Sequence, residues 1–215
     1  MSKNTVASIG HEFTVGIVLF DQAEELDWVG PFEVFTMARE VANGAGEAAN
    51  LRVVLVNETG EIAVGAKGLR NEVDASFAAA PEFDVLLIPG GIGTRTEREN
   101  PVMLDFLRKK ATEVSWLTSV CTGSAVLQAA GLTKGKRITT HFGYIPALRE
   151  FAKEETEVLE NVRYVRDGPL LTAAGVSAGI DMALWLVGEL YGVPHARLTQ
   201  KVMEYDPAPP YAAEV

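Results

Sequence analysis

Short apolar runs alternate along the chain with amphipathic stretches of helical period. The runs are F-T-V-G-I-V-L-F (13–20), L-R-V-V-L-V-N (51–57), V-L-L-I (85–88) and V-S-W-L-T-S-V (114–120). Their near-continuous hydrophobicity and β-branched content predict strands of a parallel sheet covered on both faces. Between them, F-E-V-F-T-M-A-R-E-V-A reads as a helix opened by Pro31 and ended by Asn43, Gly44 and Gly46. P-V-M-L-D-F-L-R-K-K-A reads as a second helix, with Pro101 at its start and basic residues at its end. The segment around Gly60, Gly65 and Gly68 predicts a short hairpin, and a further strand ends near His141. Y-I-P-A-L-R-E-F-A-K predicts a helix, and two later strands turn at Asp167 and Gly168. A largely apolar helix then runs from Gly175 to a stop at Gly192, followed by a short last helix. Strand–helix alternation of this kind predicts an α/β fold with a mostly parallel central sheet.

Ligands of such sheets bind beyond the carboxyl ends of the strands. Three stretches end strands that way: Asp21 to Pro31, Pro89 to Arg95, and Ser119 to Ser124. The last holds Cys121, the single cysteine, between a buried strand and the Ala/Leu-rich start of a helix. A nucleophile on such a joint is held out of the sheet, and helix N-terminal N–H groups favour its thiolate. A lone cysteine is also commonly a small buried hydrophobe, and the residue's position leaves both readings open. Pro89-Gly90-Gly91-Ile92-Gly93 allows close backbone approach to a ligand and could offer oxyanion-type N–H groups. It lacks the spacing of a phosphate loop, and an ordinary strand-to-helix turn would look the same. Asp27 stands out among the acids of the first loop because Leu26 and Trp28 flank it. Apolar surroundings raise a carboxyl pKa and let the group share a proton with a thiol. His141 suggests a Cys–His pair, but a hydrogen-bonded structural role fits it better, since no histidine adjoins Cys121. His11 and His195 carry no chemical signal.

Composition narrows the classes. The chain has 215 residues with 47% hydrophobic and 22% charged content, ordinary for a globular protein. A net charge of −10 argues against nucleic acid or an anionic membrane as a partner. One cysteine excludes an intramolecular disulfide and suits a reducing compartment. Nothing resembles a signal peptide or a membrane span, so a cytoplasmic location is expected. No His/Cys/Asp cluster has metal-ligand spacing, so neither a metal nor another cofactor is expected. With no repeat or composition break, residues 13–215 are expected to form one domain behind a frayed tail, 1–12.

At these residues the sequence resembles the ThiJ/PfpI superfamily. The likeness rests on L-D-W-V-G-P (26–31), V-L-L-I-P-G-G-I-G (85–93), S-V-C-T-G-S-A-V-L (119–127) and I-T-T-H-F (138–142), joined by R-D-G-P-L-L-T-A-A-G-V-S-A-G-I-D-M-A-L (166–184) and E-Y-D-P-A-P-P-Y (204–211). It implies a flavodoxin-like sandwich of the class I glutamine amidotransferase type, with helices on both faces of the sheet. Within the superfamily the pattern is most similar to the isocyanide hydratase branch, which implies a lyase acting on a small molecule, usually as a homodimer. The resemblance makes Cys121 the nucleophile, with Asp27 as the acid beside its sulfur. It puts Thr122, Gly91 and Ile92 around the substrate, with His141, Ala174 and Val176 close by. Thr122 stands where protease-like relatives carry histidine, which weakens a protease or amidase reading. The branch has glycines near residue 174, where this chain has Ala173-Ala174-Gly175. Two alternatives follow from the same likeness: a thiol-sensor or glyoxalase-like stress protein, and the ligand-sensing domain of an AraC-type regulator. The second is disfavoured because the sequence stops at Val215 and keeps its cysteine.

Overall fold

A computed structural model of the chain describes residues 12–41, 49–153 and 155–207. The helix end expected at Asn43, Gly44 and Gly46, most of the N-terminal tail, His11 and the last part of the proline-rich tail lie outside the described residues.

Strands β1 (Phe13–Val18), β2 (Leu51–Asn57), β5 (Ala75–Ser76), β6 (Val85–Ile88), β7 (Trp116–Val120), β10 (Tyr164–Asp167) and β11 (Leu170–Ala173) make one seven-stranded sheet. Their order is β10-β11-β7-β6-β1-β2-β5, and only the edge strand β10 is antiparallel to its neighbour. Every residue of β6, β7 and β11 is buried, which requires cover on both faces. Helices α1 (Glu25–Glu40), α6 (Ala178–Tyr191) and α7 (Val193–Val202) pack together as one layer. A second layer holds α2 (Thr94–Glu97), α3 (Pro101–Ala111) and α4 (Gly123–Ala129). Strands β3 (Ala63–Val64) and β4 (Arg70–Asn71) form the expected hairpin, and α5 (Ile145–Ala152) is the expected helix. The fold is therefore α/β of the flavodoxin-like class.

Four expectations need correction. Helix α1 starts at Glu25, six residues before Pro31, which lies inside it. Asp27 thus belongs to a helical first turn rather than a loop. Proline costs least where its missing N–H had no partner; here the apolar face around it, packed on α6, outweighs that cost. Close packing explains the tolerance: a Cβ on Gly179 of α6 would lie 3.2 Å from Pro31 Cγ. Second, the strand before His141 is only β8 (Arg137–Ile138), paired with β9 (Glu157–Val158) outside the main sheet. Third, the turn after β10 centres on Gly168, at φ 63°, and Pro169, because Asp167 already pairs with Leu170. Fourth, α6 starts at Ala178, so residues 174–177 form a loop at the end of β11.

The chain runs from β1 to β2 on one side and returns to β6 on the other. This places a topological switch point between β1 and β6, where crevices open in such sheets.

Candidate active site

Cys121 follows the last residue of β7 with φ 56°, a left-handed conformation that non-glycine side chains seldom adopt. Several bonds hold it there. Its N–H donates to the carbonyls of Ala173 at 3.1 Å and Ala174 at 2.9 Å, at the end of the neighbouring strand β11. Its own carbonyl accepts from Thr140 Oγ1 at 2.8 Å and Ser124 Oγ at 3.2 Å. Strain fixed by its surroundings in this way is a mark of functional positions.

Across the switch point, Asp27 is fully buried. Its Oδ2 accepts from the Gly90 N–H at 2.8 Å, while Oδ1 is buried with no hydrogen-bond partner among the described residues. Gly90 is where the three parts meet. A Cβ there would lie 2.5 Å from Thr122 N, 2.7 Å from Cys121 Cβ and 2.8 Å from Asp27 Oδ2. Only glycine lets the carboxyl and the sulfur-bearing carbon close on the same backbone.

Burial pushes the Asp27 carboxyl up to about 7, the direction its apolar flanks suggest; the Gly90 N–H opposes the rise and the Glu24 charge adds to it. Burial first, and the Asp27 charge second, push the Cys121 thiol up to about 12. The N–H groups of Thr122 and Val176 pull it down, but by less. This corrects the expectation of a thiolate favoured by the helix start: loss of water around the sulfur outweighs a few backbone dipoles. Two buried acids in contact titrate as a pair, and here the pair holds two protons below about pH 7 and one above it, up to about pH 12.

Thr122 ties the elbow to the turn after β6. Its Oγ1 accepts from the Gly91 N–H at 3.0 Å and from Thr94 Oγ1 at 3.1 Å. Gly91, at φ 115°, therefore spends its N–H inside the protein and cannot serve as the oxyanion donor expected of it. Ile92 is 54% exposed. Val176, at φ 50°, brings its N–H to the sulfur from the loop after β11. The resemblance had put Ala174 and Val176 near the site without a role; Thr94 and Thr140 went unrecognised, and a β-branched residue between Gly175 and Ser177 gave no signal of its left-handed backbone. His141 accepts from the Gly143 N–H through Nδ1 at 3.2 Å, and among the described residues no hydrogen bond joins it to Cys121. Its ring instead fills the space over Gly175, where a Cβ would lie 2.2 Å from Cδ2. Among the described residues no group of three His, Cys, Asp or Glu could hold a metal ion, and no helix is long and apolar enough to cross a membrane.

The DJ-1/PfpI family model matches residues 14–189. The chain belongs to the DJ-1/PfpI family. It is 40% identical to the isonitrile hydratase of Pseudomonas putida over 200 residues, which cover 92% of this chain and 80% of that protein. A crystal structure of a ThiJ/PfpI family protein from Pseudomonas syringae superposes with a TM-score of 0.83 at 30% identity, covering 95% of this chain and 80% of that one. Drosophila melanogaster DJ-1beta gives a TM-score of 0.78 at 22% identity, covering 91% and 100%, which speaks to the fold alone. A thiol and a carboxyl group set this close together admit nucleophilic addition by sulfur with the carboxyl group moving the proton.

Proposed function

We propose that this DJ-1/PfpI protein is a lyase that hydrates an isocyanide to an N-substituted formamide. The observation that carries the reading is the buried Asp27–Cys121 pair, which holds one mobile proton and has no histidine in it. The overall likeness to an isonitrile hydratase supports the same reaction.

An isocyanide, R–N≡C, needs one nucleophile and one proton at its terminal carbon. Asp27 carboxylate takes the thiol proton of Cys121 and hands it to that carbon as sulfur attacks. The S–C and C–H bonds form, and a thioimidate, Cys–S–CH=N–R, remains on the enzyme. Asp27, again a carboxylate, then removes a proton from water as the oxygen adds to the same carbon. Nitrogen is protonated, the C–S bond breaks with sulfur taking up the remaining proton, and R–NH–CHO leaves. The Thr122 and Val176 N–H groups face the sulfur and stabilise the negative charge it carries on attack and on departure. A thiol-sensor role fits less well, because rapid oxidation requires a thiolate and this thiol is pushed up. Pairing of two chains into a homodimer, with a small molecule as the reactant of each, belongs to the same proposal.

The test is incubation with a simple alkyl isocyanide, following formamide and intact-protein mass. Turnover, with a transient gain of one isocyanide mass on Cys121, is expected. An inert protein with no adduct would exclude the reaction.

A further inference from the structure

The turn between β3 and β4 lies across the start of α1 and is bound there through its backbone. The Gln22 N–H donates to the Val64 carbonyl at 2.7 Å, and the Ala66 N–H to the Ala23 carbonyl at 2.8 Å. The Val64 N–H donates to Asp21 Oδ1 at 2.9 Å, and the Lys67 N–H to Glu25 Oε1 at 2.6 Å. The fit is close: a Cβ on Gly65 would lie 2.5 Å from Glu25 Oε1.

Lys67 is the cation that this turn brings to the helix. Glu24 is the N-cap of α1, yet its side chain accepts no N–H from the helix, as a capping side chain would. It is turned to the hairpin and accepts from Lys67 Nζ instead. The same ammonium lies 3.7 Å from Glu25 Oε2, which is shut off from water and accepts no hydrogen bond among the described residues. One cation thus serves the two carboxylates that come just before Asp27 in the chain. The Lys67 side chain is 66% exposed, so the pair adds little to stability; its consequence is for the charge around Asp27.

Glu24 is also built into the frame that holds Asp27. Its N–H donates to the Gly90 carbonyl at 2.9 Å, and its carbonyl accepts the Asp27 N–H at 3.1 Å. The Asp27 carboxyl is faced by the Gly90 N–H from the β6–α2 turn, the Cys121 sulfur from the elbow and the Val176 N–H from the loop after β11. Behind the larger effect of burial, the Glu24 charge works against ionisation of that carboxyl.

We propose that Lys67 is a positioning residue: from the hairpin it draws the Glu24 side chain off α1 and offsets its charge, which keeps Asp27 able to take up the thiol proton near neutral pH. The inference holds whichever electrophile the sulfur attacks, and only its effect on turnover rests on the isocyanide reading. The sign follows from Coulomb's law, since an unmatched carboxylate beside Asp27 disfavours a second negative charge. At the water-like dielectric of so exposed a pair, one charge several ångströms away moves a carboxyl by about half a pH unit, about threefold in rate on the acid side of the profile.

The experiment titrates the Asp27 carboxyl by ¹³C NMR in aspartate-labelled protein, with Asp27→Asn assigning the resonance. Lys67→Met keeps every backbone bond of the hairpin and should move the midpoint up by about half a unit. Glu24→Gln should move it down, and Lys67→Arg should leave it at the wild-type value. The double variant should match Glu24→Gln, because no Glu24 charge is left to offset. Where isocyanide is turned over, Lys67→Met should lose about threefold in rate at pH 6 and little at pH 9. The inference is overturned if the midpoint stays put in Lys67→Met or in Glu24→Gln, if Lys67→Met shifts it equally with and without Glu24, or if the rate falls alike at both pH values. Should no isocyanide react, the parent reading fails by itself, and the carboxyl titration still decides the role of Lys67.

Discussion

Asp27 shows how one buried side chain ties stability to pH. Its carboxyl, ordinarily near 3.8, is pushed up to about 7 in the folded protein. Between those values the unfolded chain has released the proton and the folded chain still holds it. Stability therefore falls as pH rises through this window and levels off above about 7, by on the order of 4 kcal/mol in total. Asp27→Asn removes the ionisation, so urea denaturation should find this variant more stable than wild type at pH 8 and close to it at pH 4. The same substitution removes the charge that helps push the Cys121 thiol up, so thiolate absorbance near 240 nm should appear at lower pH than in the wild type. Turnover, by contrast, should drop about 10²–10⁴-fold, the usual worth of a positioned acid–base group. Cys121→Ala should abolish it. In the wild type, the rate should climb through about pH 7 as Asp27 becomes able to accept the thiol proton; a flat profile from pH 5 to 9 would contradict that role.

Between the elements, the β6–α2 turn is the part on which site geometry depends. Gly90 gives an N–H to the first helix and leaves room for the elbow, and Gly91 is bound by Thr122. Gly90→Ala would force backbone or catalytic atoms apart, since its Cβ would meet Thr122 N at 2.5 Å. Circular dichroism should then show a lowered Tm, and activity should fall more than the loss of folded protein accounts for. Thr122→Val keeps the shape but leaves the Gly91 N–H without its acceptor, costing about 1–2 kcal/mol. If the elbow and the turn were independent, Thr122→Val would alter stability without altering kcat; coupling through Gly91 and Gly90 predicts that both change.

At the scale of the whole molecule, light scattering in dilute buffer tests the proposed homodimer, with an expected mass twice the 23.2 kDa of the chain; a mass of one chain would reject it. Much of the architecture was legible without coordinates. Apolar runs such as 85–88 and 114–120 need cover on both faces whatever surrounds them, and their alternation with helical stretches admits few arrangements. Cys121 and Asp27 could be singled out too, because their flanking residues are local and determine local backbone and burial. Pro31 misled, since the propensity of a proline is local but the packing of α1 on α6 that overrides it is not. What only the tertiary structure decided is which groups share the space around the sulfur. The Gly91 N–H is consumed by a side chain 31 positions away, and the Val176 N–H arrives from a different strand end. The thiol's displacement has the same origin. A helix start is written in the sequence, but desolvation depends on every element that closes over Cys121, and it is the larger effect.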